Sequence, residues 1–259
     1  MIDVIIPAYN CCKTLDRTLG SLVAQTDSDF IVTIVDDCSD ENIVTVIERY
    51  KDVLDIRYIR NKENVGCGMT RQVGIDNTNC KYFTFLDADD VFMPYTIGLF
   101  NSITKENQHV ELIHSYIYKH VVNDVSSSMN LLKNGFSYCH GKLYSRELIN
   151  KFGIKNSPLV KWHDDSYFNS MCAELMNMRI IEIPTMVWCH NPNSVTRKDD
   201  TERDNKANID FLKAMCMSKE FVLKYKDSVD HIDATVKYMT TNCILDEEGQ
   251  RLLKCLKGE

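Results

Sequence analysis

The stretch Phe83–Asp90 reads FTFLDADD, and it decides the fold more directly than any other part of the chain. Aromatic, β-branched and aliphatic side chains run up to Leu86, which is typical of a buried strand. Acidic residues then follow at once. While the chain stays extended, Asp87 and Asp89 project to the same side, because side chains alternate along a strand. Carboxylates that directly follow a buried strand predict the ligand-binding edge of an open α/β sheet.

Outward from this stretch, short apolar runs alternate with amphipathic helical patterns. We predict strands at Val4–Ile6, Phe30–Val35, Ile56–Ile59, Tyr82–Leu86, Leu112–Tyr118 and Ile181–Trp188. We predict helices around Leu15–Val23, over Glu41–Tyr50, and from a turn marked by Gly66 and Gly68 through Ile75. This alternation predicts an α/β fold with a Rossmann-like, mostly parallel sheet flanked by helices.

The pattern changes near Thr201. Three helical patterns follow, near Asn205–Tyr225, Asp230–Asn242 and Asp246–Leu256, with no strand pattern between them. We therefore predict an α/β domain over residues 1–200 and an α-helical C-terminal appendage over residues 201–259.

The charge of the chain argues against one class of protein. A formal net charge of −7 is unfavourable for a protein whose main affinity is for nucleic-acid phosphates. One local patch differs, because Lys142–Lys161 contains five basic residues and a single acidic residue, Glu147. This patch is either a solvated face or a surface that receives an anionic ligand.

Three features predict a cytoplasmic protein. No run approaches the roughly 20 apolar residues that a membrane helix needs. The chain enters a strand-like run at Ile2–Ile6 without a signal-peptide pattern. The 11 cysteines include no C-x-x-C pair, which argues against a disulfide framework or a structural zinc site. We expect reduced thiols that serve as small core residues.

Acidic residues also end the second predicted strand, at Asp36 and Asp37. Because the carboxyl ends of parallel strands meet at one edge, we expect these residues near Asp87, Asp89 and Asp90. Hard oxygen ligands of this kind suit Mg²⁺ or Mn²⁺, which bind one or two carboxylates together with substrate phosphates. The alternative is an acidic turn that caps a helix near Pro94.

Four motifs occur in an order that is more specific than any one of them: VIIPAYN (Val4–Asn10), IVDDCSD (Ile34–Asp40), NVGCGMTR (Asn64–Arg71) and FLDADD (Phe85–Asp90). Together they resemble the family 2 glycosyltransferases, which have the GT-A fold. Three later segments are also similar: GKLYSREL (Gly141–Leu148), HDDSYF (His163–Phe168) and CHNPNSVTR (Cys189–Arg197). The resemblance covers about residues 1–197 and implies a GT-A-like domain that binds a nucleotide-sugar.

The resemblance implies a donor site formed by Pro7, Ala8, Tyr9, Asp37, Arg71, Asp87 and Ala88. Tyr9 would lie against the nucleobase, and Asp37 would accept a hydrogen bond from the base or the ribose. Arg71 would face the diphosphate. Its planar fork suits phosphate oxygens, and it falls in the helix opened by the glycine turn, where a helix N-terminus favours anions.

The resemblance also implies a metal site. Asp89 would be the principal ligand of Mn²⁺ or Mg²⁺, with Asp87 directed towards the ribose or the same ion. His190 follows a predicted strand and is either structural, a third metal ligand, or a phosphate contact from a closing loop. His140 and His163 carry less weight.

The segment after His163 predicts an amphipathic helix, because apolar residues recur at helical spacing from Phe168 to Met176. Asp164 and Asp165 lie at the inward-facing start of this helix. One alternative is that they only favour the helix dipole. The resemblance implies that Asp165 is the general base, with Asp164 in place of the family's usual Glu. That shorter side chain leaves the assignment between the two open.

These implications predict a metal-dependent, inverting glycosyltransferase that passes a sugar from a UDP-sugar to an acceptor hydroxyl on a saccharide or another molecule. A nucleotidyltransferase is disfavoured, because the first strand is followed by PAYN and not by a glycine-rich basic loop. Two alternatives stay open: a catalytically inactive nucleotide-sugar-binding module, and a DNA-modifying glycosyltransferase that would use the Lys142–Lys161 patch.

Overall fold

The computed structural model describes residues 1–122, 126–133, 138–192, 201–226, 229–242 and 245–257. Its strands are β1 (Ile2–Ala8), β2 (Phe30–Asp36), β3 (Ile56–Arg60), β4 (Tyr82–Phe85), β5 (Val91–Phe92), β6 (Leu112–Val122), β7 (Ser127–Leu132), β8 (Lys142–Ser145) and β9 (Met178–Trp188). Its helices are α1 (Cys12–Val23), α2 (Val44–Ile47), α3 (Cys67–Asn77), α4 (Thr96–Glu106), α5 (Arg146–Phe152), α6 (Asp164–Leu175), α7 (Thr201–Val222), α8 (Asp230–Asn242) and α9 (Glu247–Lys257).

The strands form one mixed sheet in the order β3-β2-β1-β4-β8-β6-β9-β5, and β7 pairs with β6. The first four strands pair in parallel, as predicted. Strand β8 is antiparallel to both β4 and β6, while β6 and β9 are parallel to each other. Strands β4, β6 and β9 therefore run in the same direction. Their carboxyl ends share one edge of the sheet, which is where ligands bind in α/β folds.

An aromatic cluster fixes helix α6 against the centre of the sheet. Phe83 of β4 stacks on Tyr144 of β8 with ring centroids 5.2 Å apart, and Phe85 meets Phe168 of α6 at 6.1 Å. These rings are buried, so they contribute large apolar areas to the core. Because Phe168 lies one turn into α6, the start of that helix is held beside the end of β4.

The sequence predictions differ from the structure at several elements. The helix predicted over Glu41–Tyr50 is limited to Val44–Ile47. Strands β7 and β8 were not predicted: β7 reads SSMNLL and is largely exposed, and β8 is four residues long and contains a lysine. Neither has the period-2 apolar alternation on which strand prediction depends. The sheet that we predicted to be mostly parallel is therefore mixed.

The C-terminal helices pack against α6. Phe211, Leu212 and Met215 of α7 share a buried cluster with Phe168 and Met171. The buried carboxylate of Glu174 accepts hydrogen bonds from the Lys226 Nζ atom at 3.0 Å and from the Ile232 amide at 2.9 Å. The predicted helical appendage is thus tied to the helix that carries Asp164 and Asp165. Its status as a separate unit over 201–259 stays a prediction.

Among the described helices, none combines the length and the apolar character that a membrane span requires.

Candidate active site

The turn before α3 is organised by Asp37. Its carboxylate accepts hydrogen bonds from the amides of Val65 and Gly66 and from the Asn61 side chain, all at 2.9 Å. Gly66 has a φ of +85°, a conformation that glycine adopts without steric cost. Asp37 therefore shapes the glycine turn. Its predicted hydrogen bond to the base or ribose stays a prediction.

Arg71 lies at the centre of a group of carboxylates. One of its terminal nitrogens is 2.5 Å from Asp164 Oδ2 and 3.5 Å from Asp165 Oδ1. The other is 2.7 Å from Asp87 Oδ1. The guanidinium, which is buried, also lies over the Phe85 ring, 5.7 Å from its centroid. Arg71 thus joins the end of β4 to the start of α6, and its predicted contact with the diphosphate stays a prediction.

The contact between α3 and α6 depends on Gly68. A Cβ atom at this position would lie 2.7 Å from Asp164 Cβ, which is closer than real Cβ contacts come. The absence of a side chain at Gly68 therefore lets the backbone of α3 approach the first residue of α6. This approach brings Asp164 within reach of Arg71, one helical turn further along α3.

His140 holds the acidic segment from its other side. Its Nε2 atom is 3.0 Å from Asp90 Oδ2 and 3.5 Å from Asp87 Oδ2. Its ring stacks on Trp188, with centroids 5.0 Å apart and planes inclined by 22°. His140 carries little weight in the sequence, because nothing around it suggests a contact with residues 50 positions earlier. Its position within hydrogen-bond distance of Asp90 is the feature of the candidate site that the sequence did not predict.

The segment after β9 closes over the remaining carboxylates. The Cys189 amide donates to Asp90 Oδ1 at 2.7 Å, and the Asn191 side chain donates to Asp89 Oδ2 at 2.7 Å. His190 lies between these residues, with its ring 6.4 Å from that of His120. Residues 193–197 of the predicted closing segment Cys189–Arg197 lie outside the described residues.

The structure brings together a group of potential metal ligands that differs from the predicted set. Among the described residues, Asp87, Asp90 and His140 each offer a ligand atom within 4.8 Å of the others, and this group includes neither Asp89 nor His190. Asp90 is buried and is already hydrogen-bonded to His140 and to the Cys189 amide. Asp87 and Asp89 are the more exposed carboxylates. Their predicted role as metal ligands, and that of His190, stays a prediction.

Burial and neighbouring charges shift the pKa values of these groups in opposite directions. Burial and the neighbouring Asp165 raise the pKa of Asp164 to about 7. Burial opposes the charge of His140, but hydrogen bonds to Asp87 and Asp90 raise its pKa to about 10. Burial also disfavours ionisation of Asp87, yet the Arg71 charge and the His140 hydrogen bond hold its pKa below the usual value. Burial and the neighbouring Asp87 raise the pKa of Asp89.

Three of the residues that we predict to bind the nucleotide lie at the end of β1. Pro7 and Ala8 are buried, whereas Tyr9 is 50% exposed, so its ring is accessible to a ligand. Ala88 is buried between Asp87 and Asp89. The sheet places these residues at the same edge, because β1 pairs in parallel with β4.

The predicted basic patch is smaller than expected. Lys142 is fully buried in β8, where its Nζ atom donates to the Tyr138 carbonyl, and burial lowers its pKa to about 8. Arg146 donates to the carbonyls of Cys80 and Asn79. Lys151, Lys155 and Lys161 are exposed. The prediction that Lys142 contributes to a surface patch was wrong, because pattern analysis cannot recognise a lysine in a short internal strand.

The fold agrees with a comparison against known families. The model for the family described as Glycosyl transferase family 2 matches residues 3–172. The chain belongs to the family 2 glycosyltransferases. The matched region contains the acidic edge of β4, the glycine turn, Arg71 and the start of α6.

Curated relatives of this glycosyltransferase differ in how much of their length it covers. An uncharacterised glycosyltransferase of Haemophilus influenzae is 26% identical, over 92% of this chain and 83% of that protein. The poly(ribitol-phosphate) β-N-acetylglucosaminyltransferase TarP of Staphylococcus aureus is 26% identical, over 71% of this chain and 60% of that protein. An uncharacterised glycosyltransferase of Rickettsia prowazekii is matched over 44% of its length.

Solved structures show the same fold. S. aureus TarS in complex with UDP-GlcNAc superposes with a TM-score of 0.76 at 19% identity, covering 93% of this chain and 74% of that chain. A mannosyltransferase from Pyrobaculum calidifontis, in complex with GDP-Man and Mn²⁺, gives a TM-score of 0.58 at 14% identity, covering 99% of this chain and 79% of that chain. At these identities the likeness shows the GT-A architecture.

Proposed function

We propose that this glycosyltransferase transfers a sugar from a UDP-sugar to a hydroxyl of a saccharide or polyol acceptor, in a metal-dependent reaction that inverts the anomeric carbon. The observation that carries the proposal is the group of Asp87, Asp164 and Asp165 around Arg71, at the carboxyl edge of β4. The names of the relatives support the substrate class: TarS binds UDP-GlcNAc, and TarP is a poly(ribitol-phosphate) β-N-acetylglucosaminyltransferase.

The two carboxylates at the start of α6 differ in a way that supports one base. Asp164 is buried and lies 2.5 Å from Arg71, so this ion pair engages it. Asp165 is more exposed and lies farther from Arg71, at 3.5 Å. We propose that Asp165 accepts the proton of the acceptor hydroxyl as that oxygen attacks the anomeric carbon. Arg71 and Asp164 orient the start of the helix for this step.

The carboxylates of the site are suitable ligands for a hard divalent cation. Five carboxylates, those of Asp87, Asp89, Asp90, Asp164 and Asp165, gather near two buried cationic side chains, Arg71 and His140. This leaves an excess of negative charge that a divalent ion would offset. We propose that Asp89 and Asp87 would hold Mn²⁺ or Mg²⁺, with His190 as a further candidate. A bound cation would supply positive charge that neutralises the leaving diphosphate.

The remaining parts of the donor site follow from exposure and position. Tyr9 is the half-exposed ring beside the buried Ala8, and we propose that it stacks on the uracil base. Asp37 lies beside Ala8, since its amide donates to the Ala8 carbonyl at 2.8 Å, and we propose that it contacts the base or the ribose. The ten described cysteines are free, which supports the proposal that the protein works in the reducing cytoplasm. A nucleic-acid acceptor is disfavoured, because buried Lys142 does not contribute to the basic patch that the sequence predicts.

The proposal is tested by calorimetry of UDP-GlcNAc and UDP binding, in Mn²⁺ and in EDTA. We expect UDP-GlcNAc and UDP to bind more tightly in Mn²⁺ than in EDTA. In Asp89→Ala we expect the ratio of the two affinities to be at least about tenfold smaller. Asp52→Ala is the matched control, since Asp52 is an exposed aspartate in the turn after α2. Equal affinity in Mn²⁺ and EDTA would overturn the metal dependence. Absence of binding under both conditions would overturn the donor.

A further inference from the structure

A second set of side chains reaches the same edge of the sheet as the carboxylates. Strands β6 and β9 run parallel to each other, and Lys119 is the register partner of Trp188 near their carboxyl ends. Strand β5 begins directly after Asp90, and its first residue, Val91, pairs with Val187. This register puts Trp188 next to the acidic segment. The two sets of residues are therefore neighbours through the sheet itself.

Trp188 is covered on its faces by a cation and a histidine. The Lys119 Nζ atom lies 4.0 Å from the centroid of the indole ring, while the His140 ring stacks on it at 5.0 Å. The Nε2 atom of His140 also lies 3.0 Å from Asp90 Oδ2. Tyr138 packs on Trp188 with centroids 5.3 Å apart and is 37% exposed. An unbroken row of contacts thus leads from the reaction edge to an accessible tyrosine ring and a lysine.

The charge of Lys119 is the feature of this row that can bind an anion. Among the described residues, Lys119 forms no ion pair, and an aromatic ring is the partner that the structure records for it. Some lysines of this chain pair with carboxylates, as Lys51 does with Glu48, whereas others, such as Lys151, lie over an aromatic ring as Lys119 does. In a protein with a net charge of −7, a partly exposed ammonium beside the acidic site is suited to an anion from outside.

We propose that Lys119, Trp188 and Tyr138 form a subsite for an anionic group of the acceptor, a phosphate or a carboxylate adjoining the unit that accepts the sugar. The Lys119 ammonium binds the anion, and the exposed Tyr138 ring supports the neighbouring sugar or polyol. Trp188 contacts both Lys119 and His140, and it therefore connects the anion subsite to the carboxylates. This inference rests on the proposed function, since it assigns the acceptor side of the same site.

The test measures acceptor binding with the donor pocket already filled. The protein is saturated with UDP and Mn²⁺, so that an anionic probe cannot occupy the phosphate site of the donor. Three probes are then titrated by calorimetry or ligand-observed NMR: ribitol 5-phosphate, a glucuronate-containing disaccharide, and the neutral disaccharide cellobiose. We expect one of the anionic probes to bind more tightly than cellobiose, and the tighter one identifies phosphate or carboxylate as the recognised group.

Two variants decide whether Lys119 is responsible. In Lys119→Met the affinity for the preferred anionic probe is expected to fall about tenfold, as loss of a charge-assisted contact predicts, while UDP affinity is unchanged. Lys151→Met is the matched control, because Lys151 makes the same kind of contact with Phe152 at 5.3 Å on α5. The inference is overturned if neither anionic probe binds more tightly than cellobiose, or if the two variants behave alike. If the wild-type protein does not bind UDP, the proposed donor is overturned together with this inference.

Discussion

Two buried cations hold Asp87 through different oxygens, and they differ in chemistry. Arg71 binds Oδ1 at 2.7 Å, and its positive charge is permanent. His140 lies 3.5 Å from Oδ2, and its charge exists because Asp87 and Asp90 raise its pKa to about 10. Arg71 belongs to α3 and pairs with residues at the start of α6. His140 precedes β8 and contacts Asp90, which precedes β5, and Trp188 of β9. One acidic segment is therefore held by a fixed charge on the helical side and by a titratable charge on the strand side.

This difference indicates that Arg71 and His140 have different roles in the site. Arg71 binds the carboxylates from which we propose the base, so any change there affects both folding and chemistry. His140 binds Asp90, which is fully buried, and connects to the proposed acceptor subsite through Trp188. The following changes would break one side while leaving the other in place.

Removing the fixed charge should have the largest effect on stability. Arg71→Met leaves Asp164 without its cation and Asp87 with His140 alone, and breaking a buried ion pair on one side costs about 3–5 kcal/mol. Urea unfolding followed by circular dichroism measures this loss. Arg60→Met is the control, since Arg60 also pairs with a buried aspartate, Asp36, but is itself 45% exposed. A loss in Arg71→Met no greater than in Arg60→Met would show that the Arg71 cluster does not hold the helices together.

Removing the titratable charge should have a smaller effect that depends on pH. The folded-state pKa of His140, about 10, lies above the ordinary value of about 6.5, so the folded state binds this proton more tightly. This stabilisation is complete below about pH 6.5 and is lost as the pH rises through 10. His140→Gln should cost about 2 kcal/mol at pH 6 and should flatten the decline in unfolding free energy between pH 7 and 10. Parallel curves for the two proteins would contradict the ion pair.

Separating the two helices should have the smallest effect. In Gly68→Ala the added Cβ meets Asp164 Cβ, and overpacking of this kind costs about 1 kcal/mol or somewhat more. Gly20→Ala is the control, because the nearest atom to its added Cβ is 3.9 Å away. We expect Gly20→Ala to leave stability unchanged or slightly raised. If Gly68→Ala were equally harmless, the close approach of α3 to Asp164 would not matter to the site.

The helical side of this comparison could be predicted from the sequence. The apolar strand that stops in DADD, the glycine turn before Arg71 and the amphipathic pattern after Asp164 are all local signals, and each lies where it was expected. Parallel strands bring such local signals to one edge, so their proximity follows from the topology. What local signals could not give was the ion pairing of Arg71 with Asp87, Asp164 and Asp165.

The strand side could not be predicted. His140 reaches Asp90 because it lies just before β8, which pairs antiparallel with β4, so that the start of β8 lies beside the end of β4. That pairing depends on β8, a four-residue strand that is too short to show a hydrophobic period. Lys142 appeared to belong to a surface patch for the same reason, since β8 is short and internal. Long-range pairing of short strands is where pattern analysis of a single sequence fails.

In the mechanism that we propose, Arg71 engages Asp164 and leaves Asp165 to take the acceptor proton. The direct test is the rate of sugar transfer, or of UDP release from UDP-GlcNAc with water as acceptor, in Asp165→Asn and Asp164→Asn at saturating donor and Mn²⁺. We expect Asp165→Asn to bind UDP-GlcNAc normally and to react at least about a hundredfold more slowly, with a milder loss in Asp164→Asn. A near wild-type rate in Asp165→Asn, with Asp164→Asn inactive, would contradict it and exchange the two roles.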